Sequence, residues 1–260
     1  MSIGNKKALL IGINYIGSTY ELNGCINDVC SLKNKLKLLG FNDIKTLTDD
    51  NDYKPTKNNM LLEIKNLLES SNSNDILFIA YSGHGSNTID KSGDEEDGLD
   101  EMIIPCDLDP ISDDIFKDYI SKYIKKNVTL YGLFDCCDSG SKLDLKYQYL
   151  DSNNYNNFYI NKNKSNLNNN NNILIISGCM DNQTSADAYI NNKYQGAMTW
   201  SFLQALEKYP NINLKDLLIY MRKILKENNY TQIPQLSSNT IININKNYFI
   251  QNISNKKIIN

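Results

Sequence analysis

The chain has 260 residues, and its 27 Lys and Arg against 30 Asp and Glu give a formal net charge of −3. This near balance argues against a protein that holds nucleic acid through bulk positive charge. With 41% hydrophobic and 22% charged residues, the composition is typical of a globular protein and excludes a coiled coil or a wholly disordered chain. The only histidine is His84, so any chemistry that needs an imidazole must use that residue.

The N-terminal segment joins Lys6 and Lys7 to a short apolar run that Asn14 interrupts. The run is short and lacks a small-residue cleavage site, so it predicts a buried first strand rather than a signal peptide. No stretch approaches the roughly 18 apolar residues of a membrane span. Six cysteines without a Cys-x-x-Cys pair predict neither a disulfide framework nor a zinc site. We therefore expect a soluble, cytoplasmic protein.

Apolar runs that predict strands alternate with segments of helical periodicity along the chain. The predicted strands are 7–13, 44–47, 76–81, 129–134, 173–177 and 240–244. The predicted helices are 26–39, 57–68 after a cap at Thr56, a helix from Ser112 to Tyr123, 197–208 and 214–226. Continuously apolar strands separated by helices are typical of a parallel sheet with both faces covered. We therefore predict an α/β fold in three layers with a mainly parallel six-stranded sheet.

Residues 146–172 interrupt this alternation and are rich in asparagine. A polar, low-complexity stretch buries too little apolar surface to offset the entropy of ordering it, so this segment is predicted to be a flexible surface linker. It separates a larger region, 1–145, from a smaller region, 173–260. Because parallel strands tolerate a long crossover, we expect both regions to complete one sheet.

Two predicted strands end in loops with reactive side chains. The strand 76–81 runs into Ser82-Gly83-His84-Gly85, and the strand 129–134 runs into Asp135-Cys136-Cys137-Asp138-Ser139-Gly140. Ligand crevices of open α/β sheets lie at the carboxyl ends of strands, so the imidazole and a thiol are expected on one rim. An imidazole can take the thiol proton and later protonate a leaving amine, which suits peptide-bond attack. A structural histidine near a buried cysteine is the alternative.

Five motifs follow one another along the chain: Gly24-Cys25-Ile26-Asn27-Asp28, Tyr81-Ser82-Gly83-His84-Gly85, the acidic stretch 94–101, Asp135-Cys136-Cys137-Asp138-Ser139-Gly140, and 177–187, which begins Ser-Gly-Cys-Met-Asp. In this order and spacing they resemble the metacaspases, caspase-fold cysteine peptidases of clan CD. Caspases place the histidine about 50 residues before the cysteine, and His84 precedes Cys137 by a similar distance. The resemblance spans almost the whole chain and implies a caspase-like fold. Because the first strand begins near Met1, we expect no N-terminal prodomain.

The resemblance implies that Cys137, rather than Cys136, is the nucleophile, since the family has one residue between this cysteine and Ser-Gly. His84 is then the general base and acid, and the backbone amides of Gly85 and Cys137 are the oxyanion donors. The family usually has histidine at the position of Asp138. A carboxylate beside a thiol disfavours the thiolate, so Asp138 is expected to slow the reaction rather than change its mechanism.

Metacaspases cleave after Lys or Arg, so the resemblance implies an acidic pocket for a basic side chain. The matching residues are Cys25, Asp28, Ser82 and Asp135. Two carboxylates that face one guanidinium or ammonium group suit such a pocket. From the residues alone, Asp28 is equally explained as a helix-start residue that the helix dipole favours.

Metacaspases commonly bind an activating calcium ion, and the resemblance implies a site at Asp100, Asp113, Asp114 and Asp144. Hard cations prefer several carboxylate oxygens. The acidic stretch 94–101 lacks the spacing of an EF-hand, so a solvated loop is the alternative explanation of its charge.

Caspase-like peptidases are often cut in the linker, and Lys146, Lys162 and Lys164 lie in or beside the asparagine-rich segment. We therefore expect calcium-triggered self-cleavage there. The expected partners are protein or peptide substrates with Lys or Arg at the cleaved bond, and the chain is expected to be a monomer that binds no nucleic acid and no membrane. A catalytically weak or inactive caspase-fold scaffold, suggested by Asp138, is the alternative. A doubly wound nucleotide-binding protein is disfavoured because no Gly-rich phosphate loop opens a helix.

Overall fold

The computed structural model describes residues 4–89, 99–136, 145–149, 159–160, 167, 170–178, 188–246 and 250. In these ranges the strands are β1 (Lys6–Gly12), β2 (Asp43–Thr48), β3 (Ile76–Ser82), β4 (Gly85–Ile89), β5 (Leu99–Ile103), β6 (Ile111–Ser112), β7 (Thr129–Asp135), β8 (Tyr147–Tyr149), β9 (Tyr159–Ile160), β10 (Asn172–Ser177), β11 (Ala188–Ile190), β12 (Lys193–Gln195) and β13 (Gln235–Ser238). The helices are α1 (Cys25–Leu38), α2 (Lys57–Glu69), α3 (Asp113–Tyr123), α4 (Ala197–Lys208) and α5 (Leu214–Glu227).

The main sheet follows the order β2-β1-β3-β7-β10-β13-β8-β9 among the described strands. The first five of these strands run parallel to one another, whereas β13, β8 and β9 each run antiparallel to the strand before them in the sheet. β1 is buried along almost its whole length, as expected for a strand covered on both faces. The predicted α/β fold with a mainly parallel sheet is confirmed.

The prediction of six strands is wrong, because the main sheet has eight strands among the described residues. Residues 240–244 form no strand, and the sheet takes β13 instead. The apolar residues of the predicted strand still cover the core, since Ile244 is buried and its carbonyl accepts a hydrogen bond from the Lys215 amide at 3.1 Å. β8 and β9 lie inside the predicted linker 146–172, where Tyr149 is buried and its hydroxyl accepts a hydrogen bond from the Ile242 amide.

Two apolar clusters cover the opposite faces of the main sheet. One cluster contains Leu10 of β1 together with buried residues of α1, α4 and α5. The other contains the neighbouring residues Leu9 and Ile11 together with buried residues of α2 and α3. Successive side chains of a strand point to opposite faces, so β1 supplies both cores and the domain has three layers.

Three of the five described helices, α2, α3 and α5, follow a residue whose side chain accepts a hydrogen bond from the first turn. Thr56 accepts a hydrogen bond from the Asn59 amide at 3.3 Å, and Ser112 accepts one from the Ile115 amide at 3.4 Å, which confirms both predicted caps. α1 and α4 differ, because the residues that precede them, Gly24 and Gly196, have no side chain to cap the helix. None of the described helices has the length and apolar character that crossing a bilayer requires.

Candidate active site

The carboxyl ends of β1, β3 and β7 meet at one edge of the main sheet. Ser82, the last residue of β3, is in register with Gly12 on one side and with Asp135 on the other. The Gly83 amide donates to the Asp135 carbonyl at 3.4 Å. The loop that carries His84 therefore lies directly beside the strand end that leads to the cysteines.

The described range 99–136 ends at Cys136. Cys136 is buried in the apolar cluster on the α2 and α3 face, which supports a structural role for this thiol. Cys137, Asp138 and Asp144 lie outside the described residues, so their predicted roles stay predictions. Gly85, the other predicted oxyanion donor, begins β4 and pairs with Ile103.

The imidazole of His84 is held by the loop that follows β1. Its Nε2 lies 2.8 Å from the carbonyl oxygen of Tyr20. Because a carbonyl can only accept, Nε2 carries the proton in the neutral ring, and Nδ1 keeps its lone pair. The Tyr15 ring packs against the imidazole with 4.6 Å between centroids. The geometry therefore makes Nδ1 the atom that can accept a proton.

Two buried tyrosines fix the backbone of His84. The His84 amide donates to the Tyr15 hydroxyl at 2.9 Å, and the Tyr81 hydroxyl donates to the His84 carbonyl at 2.7 Å. Burial raises the pKa of both hydroxyls, so both stay protonated and able to donate. A Cβ on Gly83 would lie 2.6 Å from the Tyr81 hydroxyl and 3.0 Å from that of Tyr15. Only glycine leaves room for this pair beneath the histidine loop.

The loop after β1 is itself anchored by Asp49, the residue directly after β2. Its two carboxylate oxygens accept hydrogen bonds from the Asn14 amide at 2.9 Å and the Ile16 amide at 3.0 Å. Tyr15 lies between them with a φ of 52°, a left-handed conformation that costs about 1–3 kcal/mol outside glycine. The anchored neighbours hold Tyr15 in this conformation against the imidazole.

The predicted pocket residues Asp28, Ser82 and Asp135 come together at the same edge. The two carboxylates are 1% and 0% exposed, respectively. The Ser82 hydroxyl donates to Asp28 Oδ2 at 2.7 Å. Cys25, the fourth predicted pocket residue, begins α1 and is buried in the apolar cluster that also contains Cys136.

The N-terminus of α4 supplies backbone donors to both carboxylates. The Gly196 amide lies 3.0 Å from each oxygen of Asp28, and the Thr199 amide donates to Asp135 Oδ2 at 2.8 Å. The Oδ2 atoms of both aspartates lie within 3 Å of the point that a Cβ on Gly196 would occupy, so they are less than 6 Å apart. The orphan N–H groups and dipole of a helix N-terminus favour negative charge. They partly compensate the burial of two like charges.

The electrostatics of this pair favour a cation. Burial and then the charge of Asp135 raise the pKa of Asp28 well above its ordinary value, while the hydrogen bonds from Ser82 and Gly196 act in the opposite direction. A buried carboxyl held near a second one is stabilised when a positive group enters between them. The geometry therefore suits recognition of a basic side chain.

The family model of the metacaspase, peptidase C14 domain matches residues 6–146, more than half of the chain. The chain belongs to the metacaspase family. The family consists of cysteine-type endopeptidases, and the resemblance inferred from the motifs is confirmed.

Named relatives match nearly the whole of this metacaspase. Metacaspase-1 of Debaryomyces hansenii is 36% identical over 285 residues, which cover 90% of this chain and 64% of that protein. Metacaspase-1 of Saccharomyces cerevisiae S288c is 36% identical over 300 residues, which cover 95% of this chain and 69% of that protein. The chain thus spans about two thirds of the length of these relatives. A Geobacter sulfurreducens protein of known crystal structure is 22% identical and has the same fold, with a TM-score of 0.67 over 92% of this chain and 95% of its own.

The predicted calcium residues of this metacaspase are placed only in part. Asp113 and Asp114 form the first turn of α3, and both contact the ammonium of Lys117. Asp100 lies in β5, in register with Thr88 of β4. Its neighbour Glu101, which the site prediction omitted, is buried and lines a small cavity together with Asp113. Within the described ranges, no group of three or more His, Cys, Asp or Glu side chains is positioned to hold a metal ion.

The residues that position this site were missed in part by the sequence analysis. Tyr15, Tyr20 and Asp49 follow β1 and β2 and therefore lie at the same edge as His84. Their positions shortly after predicted buried strands could have identified them from the sequence as residues near the site. The position of Gly196 directly before a predicted helix indicated a role in the site less strongly.

Proposed function

We propose that this metacaspase is a calcium-dependent endopeptidase that cleaves after Lys or Arg through a dyad of Cys137 and His84. The observation that carries the proposal is a buried pair of carboxylates near the loop of His84, formed by Asp135 at the end of β7 and Asp28 in the first turn of α1. Two buried carboxylates close to each other repel, and a positively charged side chain of a substrate would relieve this repulsion.

The pocket selects for a basic side chain by charge. A guanidinium or ammonium group between Asp28 and Asp135 relieves their mutual repulsion and forms charge-assisted hydrogen bonds. The planar guanidinium of Arg can contact both carboxylates at once, whereas the ammonium of Lys acts as a point charge. An acidic side chain would add a third negative charge, so cleavage after Asp is excluded by the same electrostatics.

The dyad divides the proton transfers between two atoms of one imidazole. Nδ1 of His84 takes the proton of the Cys137 thiol, and the thiolate attacks the carbonyl carbon of the peptide. The Nε2–H group keeps its hydrogen bond to the Tyr20 carbonyl, which stabilises the imidazolium. Nδ1 then returns the proton to the leaving amine, and a water deprotonated at the same nitrogen hydrolyses the thioester. The amides of Gly85 and Cys137 are proposed to hold the oxyanion.

The calcium site is proposed at Asp100, Asp113, Asp114 and Asp144. The donor chemistry fits calcium, since all four side chains offer hard carboxylate oxygens. The described part of the site already accepts positive charge, because Lys117 Nζ lies 2.9 Å from Asp114 Oδ1 and 3.4 Å from Asp113 Oδ2. When bound, calcium would supply divalent charge that links α3 to the segment after the nucleophile.

Self-cleavage is proposed at Lys146, Lys162 or Lys164. Lys146 is exposed and precedes β8 directly, while Lys162 and Lys164 lie outside the described residues. Purified protein with calcium should break into two fragments on a gel, and the Cys137→Ala variant should stay intact. An intact wild-type chain under conditions in which peptides are cleaved would refute self-cleavage.

Fluorogenic peptides with Arg, Lys, Leu or Asp before the cleaved bond test the proposed activity. Wild-type protein should cleave the Arg and Lys peptides with calcium and lose this activity with a chelator. Cys137→Ala and His84→Ala should lose it under both conditions, whereas Cys136→Ala is the matched thiol control and should keep most of it. Absence of cleavage of every peptide would instead favour the scaffold hypothesis. We further propose a cytoplasmic monomer, which light scattering after size-exclusion chromatography would check for mass.

A further inference from the structure

The side chain of Lys117 is buried at the position proposed for calcium. It is 7% exposed, and its ammonium contacts Asp113, whose side chain is 1% exposed, and Asp114, whose side chain is 42% exposed. Both carboxylates belong to the proposed calcium site. An internal cation therefore already occupies part of the space that calcium would need.

The helical spacing explains why the lysine reaches this position. Asp113 and Asp114 precede Lys117 by four and three residues, and acid-to-lysine pairs at these spacings face each other on a helix. Long side chains in helices point back toward the N-terminus, which directs the ammonium to the first turn of α3. Burial of a lone ammonium is costly, but two carboxylates offset that cost.

A third carboxylate lies close to the first turn of α3, that of Glu101 in β5. Glu101 is buried and lines the same cavity as Asp113 and Ser112, and Asp100 is its neighbour in β5. The cavity beside Asp113 is therefore lined by two buried carboxylates, those of Asp113 and Glu101. The exposed side of Asp114 leaves the lysine a route toward solvent, since its flexible stem can carry the ammonium outward.

We propose that Lys117 is a built-in counter-ion that calcium must displace before it can bind, and that it thereby sets the calcium concentration needed for activity. The inference rests on the calcium site of the proposed function. Calcium gains the carboxylates of Asp113 and Asp114 only when their ion pairs with Lys117 break. Affinity for calcium is therefore lower than the same carboxylates would give without the lysine.

Calorimetric titration of calcium into metal-free full-length protein tests this competition. The Cys137→Ala background prevents self-cleavage during the measurement. Lys117→Met in this background removes the charge at similar side-chain length and should bind calcium about tenfold more tightly or better. Lys122→Met is the matched control, since Lys122 is an exposed lysine on the same helix, and it should leave the affinity unchanged.

Thermal unfolding provides a second reading that does not depend on activity. Without calcium, Lys117→Met should unfold at a lower temperature than its parent, because two neighbouring carboxylates lose their counter-ion. Saturating calcium should then raise its unfolding temperature by more than it raises that of the parent. If this variant fails to fold, Lys117→Gln repeats the test with an amide that can still bond to Asp113 and Asp114.

The outcomes separate this inference from the calcium proposal itself. Equal or weaker calcium binding by Lys117→Met, with binding by the parent intact, would overturn the inference and leave the proposed calcium dependence standing. Absence of binding by both proteins would overturn both. Binding by the variant where the parent binds none would support the inference in its strongest form.

Discussion

Replacement of Asp28 by Asn should stabilise the fold at neutral pH while it weakens action on basic substrates. The substitution removes one of two buried charges and keeps the size of the side chain. The amide oxygen can still accept from Gly196, and its NH2 group can donate to the Ser82 hydroxyl, which is able to accept. Stability and function are thus expected to change in opposite directions at this residue.

The magnitude follows from the spacing of the two carboxylates. At about 5 Å and an effective dielectric constant of about 20, two like charges repel by roughly 3 kcal/mol. The neutral amide forms weaker hydrogen bonds with Gly196 and Ser82 than the carboxylate does, which reduces this gain. We therefore expect Asp28→Asn to raise the free energy of unfolding by about 1 kcal/mol at pH 8.

The gain should depend on pH with a defined sign. Burial, followed by the charge of Asp135, raises the pKa of Asp28 well above its ordinary value of 3.8. Its contribution to wild-type stability is therefore greatest below that ordinary value and is lost as the pH rises through the folded-state value. The variant lacks this loss, so the difference in stability between the two proteins should grow from acid toward neutral pH.

Urea unfolding at several pH values, followed by fluorescence, measures this difference. The matched control is Asp43→Asn, since Asp43 is exposed at the start of β2, and this change should give little pH-dependent difference. In the same preparations, kcat/KM for an Arg peptide should fall at least about a hundredfold for Asp28→Asn, because the buried guanidinium loses a charged partner. A stability difference that is flat across pH, or a variant less stable at pH 8, would refute the reasoning.

Three further substitutions test other parts of the site. Gly196→Ala should lower kcat/KM for basic peptides about tenfold or more, because its Cβ would collide with the carboxylates of Asp28 and Asp135; unchanged kinetics would contradict the close approach. Tyr15→Phe should lower kcat by roughly threefold to thirtyfold with little change in KM, because the His84 amide loses its acceptor; a pure KM effect would argue against a positioning role. If self-cleavage occurs after Lys146, Lys146→Gln should abolish the two fragments that end and begin at this bond, as mass spectrometry of the fragments would show.

The sequence predicted the buried strands and most helix boundaries because those features depend on neighbouring residues. Apolar residues run continuously through β1, β3, β7 and β10, as burial on both faces requires. The failure at 240–244 has a physical reason, since apolar residues there cover the core from an irregular segment. β8 and β9 are too short, at three and two residues, for a periodic pattern to show.

The site residues at the ends of neighbouring strands could be predicted from the sequence. The hydrogen-bond partners that come from distant segments of the chain could not. Asp135 ends β7 and Ser82 ends β3, so their meeting follows from parallel pairing. Gly196, in contrast, is 168 residues from Asp28 along the chain, and no local pattern marks that contact. The Tyr20 carbonyl is a backbone group, so the residue type gave no sign that it would orient His84.

The paired buried carboxylates of Asp28 and Asp135 are proposed to select a positively charged side chain for cleavage. This selection is tested most directly by the ratio of kcat/KM for two peptides that differ only in Arg against citrulline before the cleaved bond, since citrulline keeps the shape of Arg and lacks its charge. We expect a ratio of about a hundred or more for wild-type protein, and a much smaller ratio for Asp28→Asn. A wild-type ratio near one would contradict the proposed selection.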